Sequence, residues 1–525
     1  MCGILCICGS TTIDTLKSLE TLEKRGPEGT ILHKTNNVTM GFTRLAINGI
    51  SYRGMQPFSY KDMIGMCNGE IYNYKDLAKE HSIDLMTGSD CEILLPLFEL
   101  LNKDPVAWAR SLDGVFASVI YDGDTLYVAR DPYGVRPLYY GADGNSFCLA
   151  SEIKALKGCK GIRPFPPGYV GVYRNHELNL MKYHTIPYLK NPNYSEVMLG
   201  SEGVRRALEV AVRKRMMTDR PIAALLSGGL DSSLIAALVQ RELLIKNRCL
   251  ETFSIGFEGS PDLKYARIVA KYIGSKHHEI VCTPQQFFDA IPFVIRDIEC
   301  CDITTVRASV GNWLVAKAVR EQSDCKVVFN GDGSDEVFGS YLYFQNAPND
   351  MAFELECDRL LKDIHHFDVL RSDRCISSHG LEPRTPFLDK EFVAVAKSIP
   401  TKFRKEKFIL RKAFEDQKTL PDEVLWRKKE AFSDGVSSET KSWYSEIQDR
   451  VSPIAPPESV LELMYPYLTP KTPEAVYYRE IYEHYYGVPI TPYFWMPKWT
   501  NATDPSARTL KELYQSQHHT HLPNI

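Results

Sequence analysis

The stretch Leu225-Leu226-Ser227-Gly228-Gly229-Leu230-Asp231-Ser232-Ser233 decides how this chain is read. It lies between a short apolar run, residues 222–226, and a segment of helical spacing that begins near Ser232. Glycines at such a junction let the backbone approach an anion. The hydroxyls of Ser227, Ser232 and Ser233 and the free N–H groups of the helix start then donate to phosphate oxygens. Asp231 would repel a phosphate unless a cation intervened, so the loop implies Mg²⁺ as well as a nucleotide. The chain has no G-x-x-x-x-G-K-[ST], which argues against a Walker loop. A plain strand-to-helix turn would account for the glycines but not for the acid and the serines.

Around this loop, helical segments (202–216, 232–244) alternate with short β-branched or apolar runs (222–226, 253–257, 326–329), the rhythm of a parallel sheet covered by helices. Upstream, as far as Tyr183, the rhythm differs. Short strands are punctuated by turn dipeptides, with 63–67 followed by Asn68-Gly69 and 117–121 followed by Asp122-Gly123. These predict hairpins packed into layered antiparallel sheets, interrupted by one helix over 91–101. Residues 184–200, polar and carrying Pro187 and Pro192, read as a linker. From Pro489 onward the chain reads as a surface-wrapping tail, in which His518, His519 and His521 could bind metal but read rather as exposed polar residues.

The bulk numbers narrow the class of function. At 525 residues the chain is too long for one ordinary core. With 44% hydrophobic and 24% charged residues it has the composition of a soluble globular protein, and a net charge of -4 gives no electrostatic reason to expect a nucleic-acid or membrane partner. Fourteen scattered cysteines without paired C-x-x-C knuckles are expected to be reduced. No apolar run approaches the ~18 residues of a membrane span, and the start lacks a basic signal-peptide region. A cytoplasmic enzyme acting on small molecules is the expectation.

The Ser227–Ser233 loop resembles the SGGxDS loop of ATP pyrophosphatases, which split ATP between its α and β phosphates to adenylate a carboxylate or carbonyl oxygen. The same half carries Asn330-Gly331-Asp332-Gly333-Ser334-Asp335-Glu336, Ser260-Pro261-Asp262-Leu263, Asp302-Ile303-Thr304-Thr305-Val306-Arg307, Arg384-Thr385-Pro386-Phe387-Leu388-Asp389 and Lys428-Lys429-Glu430-Ala431-Phe432-Ser433-Asp434-Gly435. Together these resemble the synthetase half of the glutamine-hydrolysing asparagine synthetase family, and residues 494–510 are similar to its eukaryotic branch. The resemblance implies two domains. Residues 1–185 would form a glutaminase, a class II glutamine amidotransferase of α+β type with an antiparallel β-sandwich flanked by helices (Ntn-hydrolase type). Residues 200–525 would form an ATP-dependent asparagine synthetase domain of α/β type with a parallel-sheet nucleotide-binding (PP-loop) core.

The resemblance also implies roles. Cys2, in Cys2-Gly3-Ile4, is the expected nucleophile once Met1 is removed, because an α-amine with a pKa near ~7.7 on the same residue can accept the thiol proton. Asn68 and Gly69 are the expected oxyanion hole. Arg44 and Asp90 would hold the α-carboxylate and α-ammonium of glutamine, with Glu70 beside them. Arg25-Gly26-Pro27 matches the family turn over the glutamine pocket, although Lys24 stands for a usual His and Glu28 for a usual Asp. In the second half Leu226, Ser227, Gly228, Gly229, Asp231, Ser232, Ser233, Ile255, Asn330 and Gly331 are expected around ATP, and Asp231 and Asp335 around Mg²⁺. Thr304, Thr305, Arg307 and Arg384 are expected near aspartate or phosphate. Lys429 and Asp332 are expected to be catalytic, with Asp332 in place of a family Glu and Asn330 in place of a Ser. The expected reaction consumes glutamine, aspartate and ATP, and a homodimer is compatible with it. Two alternatives stand beside it: glutamine-dependent amidation of another carboxylate, and a catalytically dead nucleotide-binding homologue.

Overall fold

Alternation along the first strand, Gly3–Cys8, shows how the first half is built. Ile4 and Cys6 face one way, Leu5 and Ile7 the other, and all four are buried, so this strand belongs to a sheet covered on both faces. The computed structural model describes residues 1–35, 37–186, 197–427, 436–437, 441–454, 456–502 and 504–505. In it Gly3–Cys8 lies inside a six-stranded sheet ordered Lys160–Pro164, Tyr139–Asp143, Ser146–Ala150, Gly3–Cys8, Val38–Thr43, Thr30–Lys34, all pairs antiparallel. A second antiparallel six-stranded sheet runs Glu177–Lys182, Tyr169–Arg174, Leu126–Arg130, Gly114–Tyr121, Met63–Ile71, Phe58–Tyr60.

Ile4, Cys6, Met40 and Phe42 of the first sheet meet Met66, Val119 and Val128 of the second in one core. The opposite parities are covered separately. Leu5 and Ile7 lie under Leu19 and Leu156, while Cys67, Phe116 and Ile120 lie under Leu97, Phe98 and Trp108. This is the expected helix-flanked antiparallel sandwich.

Asn68-Gly69 is not a hairpin turn. It sits within the nine-residue strand Met63–Ile71, whose pairing with Gly114–Tyr121 continues through Asn68↔Ala117 and Gly69↔Phe116. The glycine is required by close approach, since a Cβ at Gly69 would lie 2.1 Å from the Val115 carbonyl oxygen. The helix read over 91–101 is split into a 3₁₀ turn, Asp90–Ile93, and an α-helix, Leu94–Leu100. The linker is shorter than expected, because helix Val197–Lys214 begins inside it; residues 187–196, like the tail histidines and Lys429, lie outside the described residues.

In the second half five parallel strands are ordered Lys276–Val281, Glu251–Gly256, Ile222–Leu225, Val327–Phe329, Glu382–Arg384. Ile222, Ala224, Val327 and Phe329 face helices Val197–Lys214, Leu230–Leu244 and Phe408–Glu415. Ala223 and Val328 face Pro284–Ile298 and Ile303–Gln322, the former opened by a reciprocal Thr283/Gln286 cap. Order reverses beside Ile222–Leu225, so the loops after that strand and after Val327–Phe329 open a crevice at the strands' carboxyl ends. This is the expected doubly covered parallel sheet.

The two halves meet through buried charge. Arg25 donates from Nε to the Cys2 carbonyl (3.0 Å) and from Nη1 to Glu152 (2.8 Å), Asp373 (2.8 Å) and Ser377 (3.0 Å). Arg374 pairs with Glu152 (2.9 Å) and Glu299 (3.0 Å), and Glu299 in turn accepts from the N–H groups of Ile153 and Lys154. Removing one member leaves its partners buried with less compensation. Arg25→Met is therefore expected to cost about 3–5 kcal/mol of stability, read as a lower denaturant midpoint of the full chain; an unchanged midpoint would show that this contact does not hold the halves together.

Candidate active sites

Cys2 opens the central strand of the first sheet, and Asn68 reaches it from the second. The Cys2 N–H donates to Asn68 Oδ1 (3.1 Å), and the thiol lies 3.7 Å from the Leu45 carbonyl oxygen. Burial pushes the thiol pKa up. Asn68 Nδ2 is buried with no hydrogen-bond partner among the described residues, a donor with its bonding capacity unspent. Arg44 lies near, its Nη1 and Nη2 held by the carbonyls of Ser51 (2.6 Å) and Gly49 (2.5 Å).

Asp90 and Glu70 form an acidic end to this site. Asp90 accepts from the Ile71 N–H (2.7 Å) and from Asn48 Nδ2 (3.4 Å), and Asn48 also donates to Glu70. Burial raises the Asp90 pKa to about 6, and burial together with Asp90 raises that of Glu70 well above the carboxylate range. A desolvated carboxylate gains more from an arriving cation than a solvated one, so this acidic end suits a positively charged group.

The second site is a cavity of about 790 Å³ in the crevice of the parallel sheet. Helix Leu230–Leu244 starts two residues earlier than its sequence suggests, which puts Asp231 and Ser232 on its first turn. Ser227 and Ser232 hydroxyls meet at 3.0 Å, and the Ser227 N–H donates to Ser232 Oγ (3.2 Å). Gly228 has φ +71°, and a Cβ there would lie 2.5 Å from the Ala266 nitrogen. Ser233 is fully buried and does not line the cavity, and its hydroxyl has no hydrogen-bond partner among the described residues. Ile255 lines one wall; Asn330, Gly331, Asp332 and Asp335 line another.

Asp332 is bound through Oδ1 to Arg371 (3.0 Å), while Oδ2 is buried without a partner. Burial raises its pKa to about 6, with Arg371 opposing the shift and Asp368 adding to it. Asn330 donates to Ser372 Oγ (2.6 Å).

Lys407, which the sequence reading did not single out, places its ammonium 2.5 Å from both Asp231 and Asp335. Burial opposes its charge, but the two carboxylates outweigh burial and hold its pKa above the usual range. Two acids converging on one cation are the donor set a divalent ion needs, so Asp231 and Asp335 fit Mg²⁺. Among the described residues no group of three or more His, Cys, Asp or Glu could hold a metal alone. Lys407 could have been suspected only from the basic run Lys402-Phe403-Arg404-Lys405-Glu406-Lys407. Arg371, Asp368 and Asn48 carry no local signal, because each matters through partners distant in sequence.

Four expected residues lie elsewhere. Arg384 is buried between Glu382 (2.8 Å), Glu70 (3.4 Å) and the carbonyls of Arg215 and Met217, beneath the Cys2 site and off the cavity lining. Arg307 pairs with Glu474 and Asp504 and stacks on Tyr444. Thr305 donates from its hydroxyl to Asp302 (2.7 Å), the residue that caps its helix, and Thr304 keeps a buried hydroxyl without a partner, also off the lining. The two arginines are satisfied by carboxylates that the local motifs do not contain.

Comparison with known proteins bears on both sites. The glutamine amidotransferase domain family matches residues 1–181, and the asparagine synthase family matches 203–356 and 349–466. The chain is 40% identical over 565 residues to the glutamine-hydrolysing asparagine synthetase of Gallus gallus, covering 97% of this chain and 99% of that one. It is 40% identical over 555 residues to that of Homo sapiens, covering 97% and 98%. Matches of this extent, spanning the Cys2 site and the Ser227–Ser233 cavity in one chain, place it in the glutamine-hydrolysing asparagine synthetase family.

Proposed function

We propose that Cys2 releases ammonia from glutamine in the first site and that aspartate is activated by ATP in the Ser227–Ser233 cavity, the two together making asparagine. The observation that carries this reading is the Asn68 side chain, which orients Cys2 with one atom and offers an unspent buried donor with the other. The Cys2 thiolate attacks the side-chain amide carbon of glutamine, and the oxyanion that forms is held by Asn68 Nδ2 and the Gly69 N–H. One such donor is worth ~3 kcal/mol in comparable sites. The amide nitrogen takes a proton and leaves as ammonia; water then hydrolyses the thioester to glutamate. With Met1 removed, the Cys2 α-amine is the group that takes and returns the proton. Arg44 and the Asp90–Glu70 pair hold the α-carboxylate and α-ammonium.

In the cavity, the Ser227–Ser233 loop cradles phosphates at a helix N-terminus while Ile255 lies against the base or ribose. The β-carboxylate oxygen of aspartate attacks the α-phosphorus, pyrophosphate leaves, and β-aspartyl-AMP remains. Asp231 and Asp335 would hold Mg²⁺, which when bound offsets phosphate charge. Ammonia then attacks the acyl carbon. Asp332, with a raised pKa and a free oxygen, takes the proton from the attacking nitrogen as AMP departs. Lys429 completes this site in the proposal. The free thiols suit a reducing, cytoplasmic setting.

Replacing Cys2 by Ala is expected to abolish asparagine formation from glutamine while ammonia still supports it, as followed by chromatography of asparagine, AMP and pyrophosphate; glutamine-dependent turnover in this variant would refute the nucleophile. For Asp332→Ala, adenylation is expected to outrun amide formation, so that pyrophosphate release exceeds asparagine produced. Asp332→Glu restores the ratio, and a wild-type ratio in the alanine variant would remove this residue as the base.

Acidity provides a separate check. Above pH 6 Asp90 is ionised and receives the ammonium; as pH falls through its raised pKa of about 6, a proton replaces the cation. The KM for glutamine is expected to rise about tenfold for each pH unit below that value, with a smaller change in kcat. A flat KM over the same range would exclude Asp90 from the pocket.

A further inference from the structure

Residues 215–221 join helix Val197–Lys214 to strand Ile222–Leu225, and from this connection Asp219 and Arg220 reach into the first half. The Asp219 N–H donates to the Ile47 carbonyl (3.0 Å), and Asp219 Oδ2 accepts from the Gly49 N–H (2.8 Å). Arg220 Nε donates to the Ala46 carbonyl (2.7 Å), and its Nη2 pairs with Glu28 Oε1 (2.9 Å). The other Glu28 oxygen accepts from the Ala46 N–H (2.7 Å). Ala46, Ile47 and Gly49 lie outside any strand or helix, so their backbone groups depend on such external partners.

This loop matters because of what it carries. The carbonyls of Gly49 and Ser51 hold the Arg44 guanidinium, and Asn48 donates to both Glu70 and Asp90. At Gly49 (φ +59°) the loop packs so tightly that a Cβ would lie 2.5 Å from the Ser89 nitrogen, next to Asp90. One short segment thus connects the residues for the two charged ends of glutamine, and its conformation is fixed from the other half of the molecule. Glu28, which stands where the family has Asp, is the longer side chain and bridges Arg220 to Ala46.

We infer that Asp219 and Arg220 are positioning residues for the glutamine pocket: they clamp the 46–49 loop, so that the segment leading into the nucleotide-loop strand sets how tightly the first half binds glutamine. This rests on the reading of Cys2, Arg44 and Asp90 as the glutamine site. A mere structural contact between halves would alter folding or all rates together; a clamp on the pocket acts on KM.

The test is glutamate release by the full chain without ATP, as a function of glutamine concentration. Arg220→Met is expected to raise KM about tenfold with kcat within about twofold. Arg220→Lys recovers part of that, because an ammonium can reach the Ala46 carbonyl or Glu28 but lacks the fork for both. Asp219→Asn keeps the N–H and the shape but loses the charged acceptor, and raises KM about threefold. Should Arg220→Met not fold, the other two variants carry the test. Wild-type KM in the folded variants, or a fall in kcat at constant KM, would overturn the clamp. Cys2→Ala measured alongside separates the two readings: glutamate release retained there would refute the glutamine site itself, whereas its loss together with wild-type KM in the clamp variants would refute the clamp alone.

Discussion

The Arg25 guanidinium ties the position of the nucleophile to the association of the two halves. One nitrogen holds the carbonyl of Cys2 and another reaches Glu152 and Asp373, with all of these side chains shielded from water. Buried ion pairs add little net stability, because desolvation consumes most of the attraction; their force lies in the penalty for any other arrangement. A shifted docking of the halves would strand Arg25, Arg374 or Glu299 without partners, and each such stranded charge costs several kcal/mol. The network therefore selects one geometry, and Cys2 inherits its place from it.

Both sites use burial in the same way. Glu70 and Asp90 are shielded from water and Asp332 is half-buried on the cavity wall, and each has its pKa raised chiefly by desolvation. At Asp90 the result is a carboxylate ready for a cation, and at Asp332 one poised to receive a proton near neutrality. Asp231 and Asp335 have a different arrangement, sharing a buried ammonium from Lys407. Glu406 and Lys407 adopt consecutive left-handed conformations (φ 52° and 60°), uncommon for side chains of this size. The backbone there is bent to deliver the charge.

What could be read from sequence was whatever is decided locally. The period-two strands, the strand–loop–helix at Ser227–Ser233 and the acidic-glycine turn at Asn330–Glu336 are each specified within about ten residues, and they appear in the structure with boundaries shifted by a few positions. Asn68-Gly69 misled because the dipeptide favours a turn in isolation, while its neighbour across the strand, Val115, demands a glycine for another reason. Arg384 and Arg307 lie off the cavity lining for a related cause. A cation in a motif of phosphate-binding type looks like a ligand until its carboxylates, Glu70 and Glu382 or Glu474 and Asp504, are brought to it by the fold. The Asp219–Arg220 contacts could not be seen for the same reason, and Lys407 only through the basic run that it ends.

The strand Glu382–Arg384 ends the parallel sheet, pairing on one side with Val327–Phe329. On its other side Arg136 from the first half lies against the Pro383 carbonyl (3.4 Å), and Pro383 has no N–H to offer. An open sheet edge is a template on which other chains can add strands, and proteins suppress it by covering it or by placing proline and charge along it. Here the first half serves as that cover. Docked there, the first half leaves this three-residue edge strand fully buried, so its outer edge offers no exposed ladder for another chain to extend.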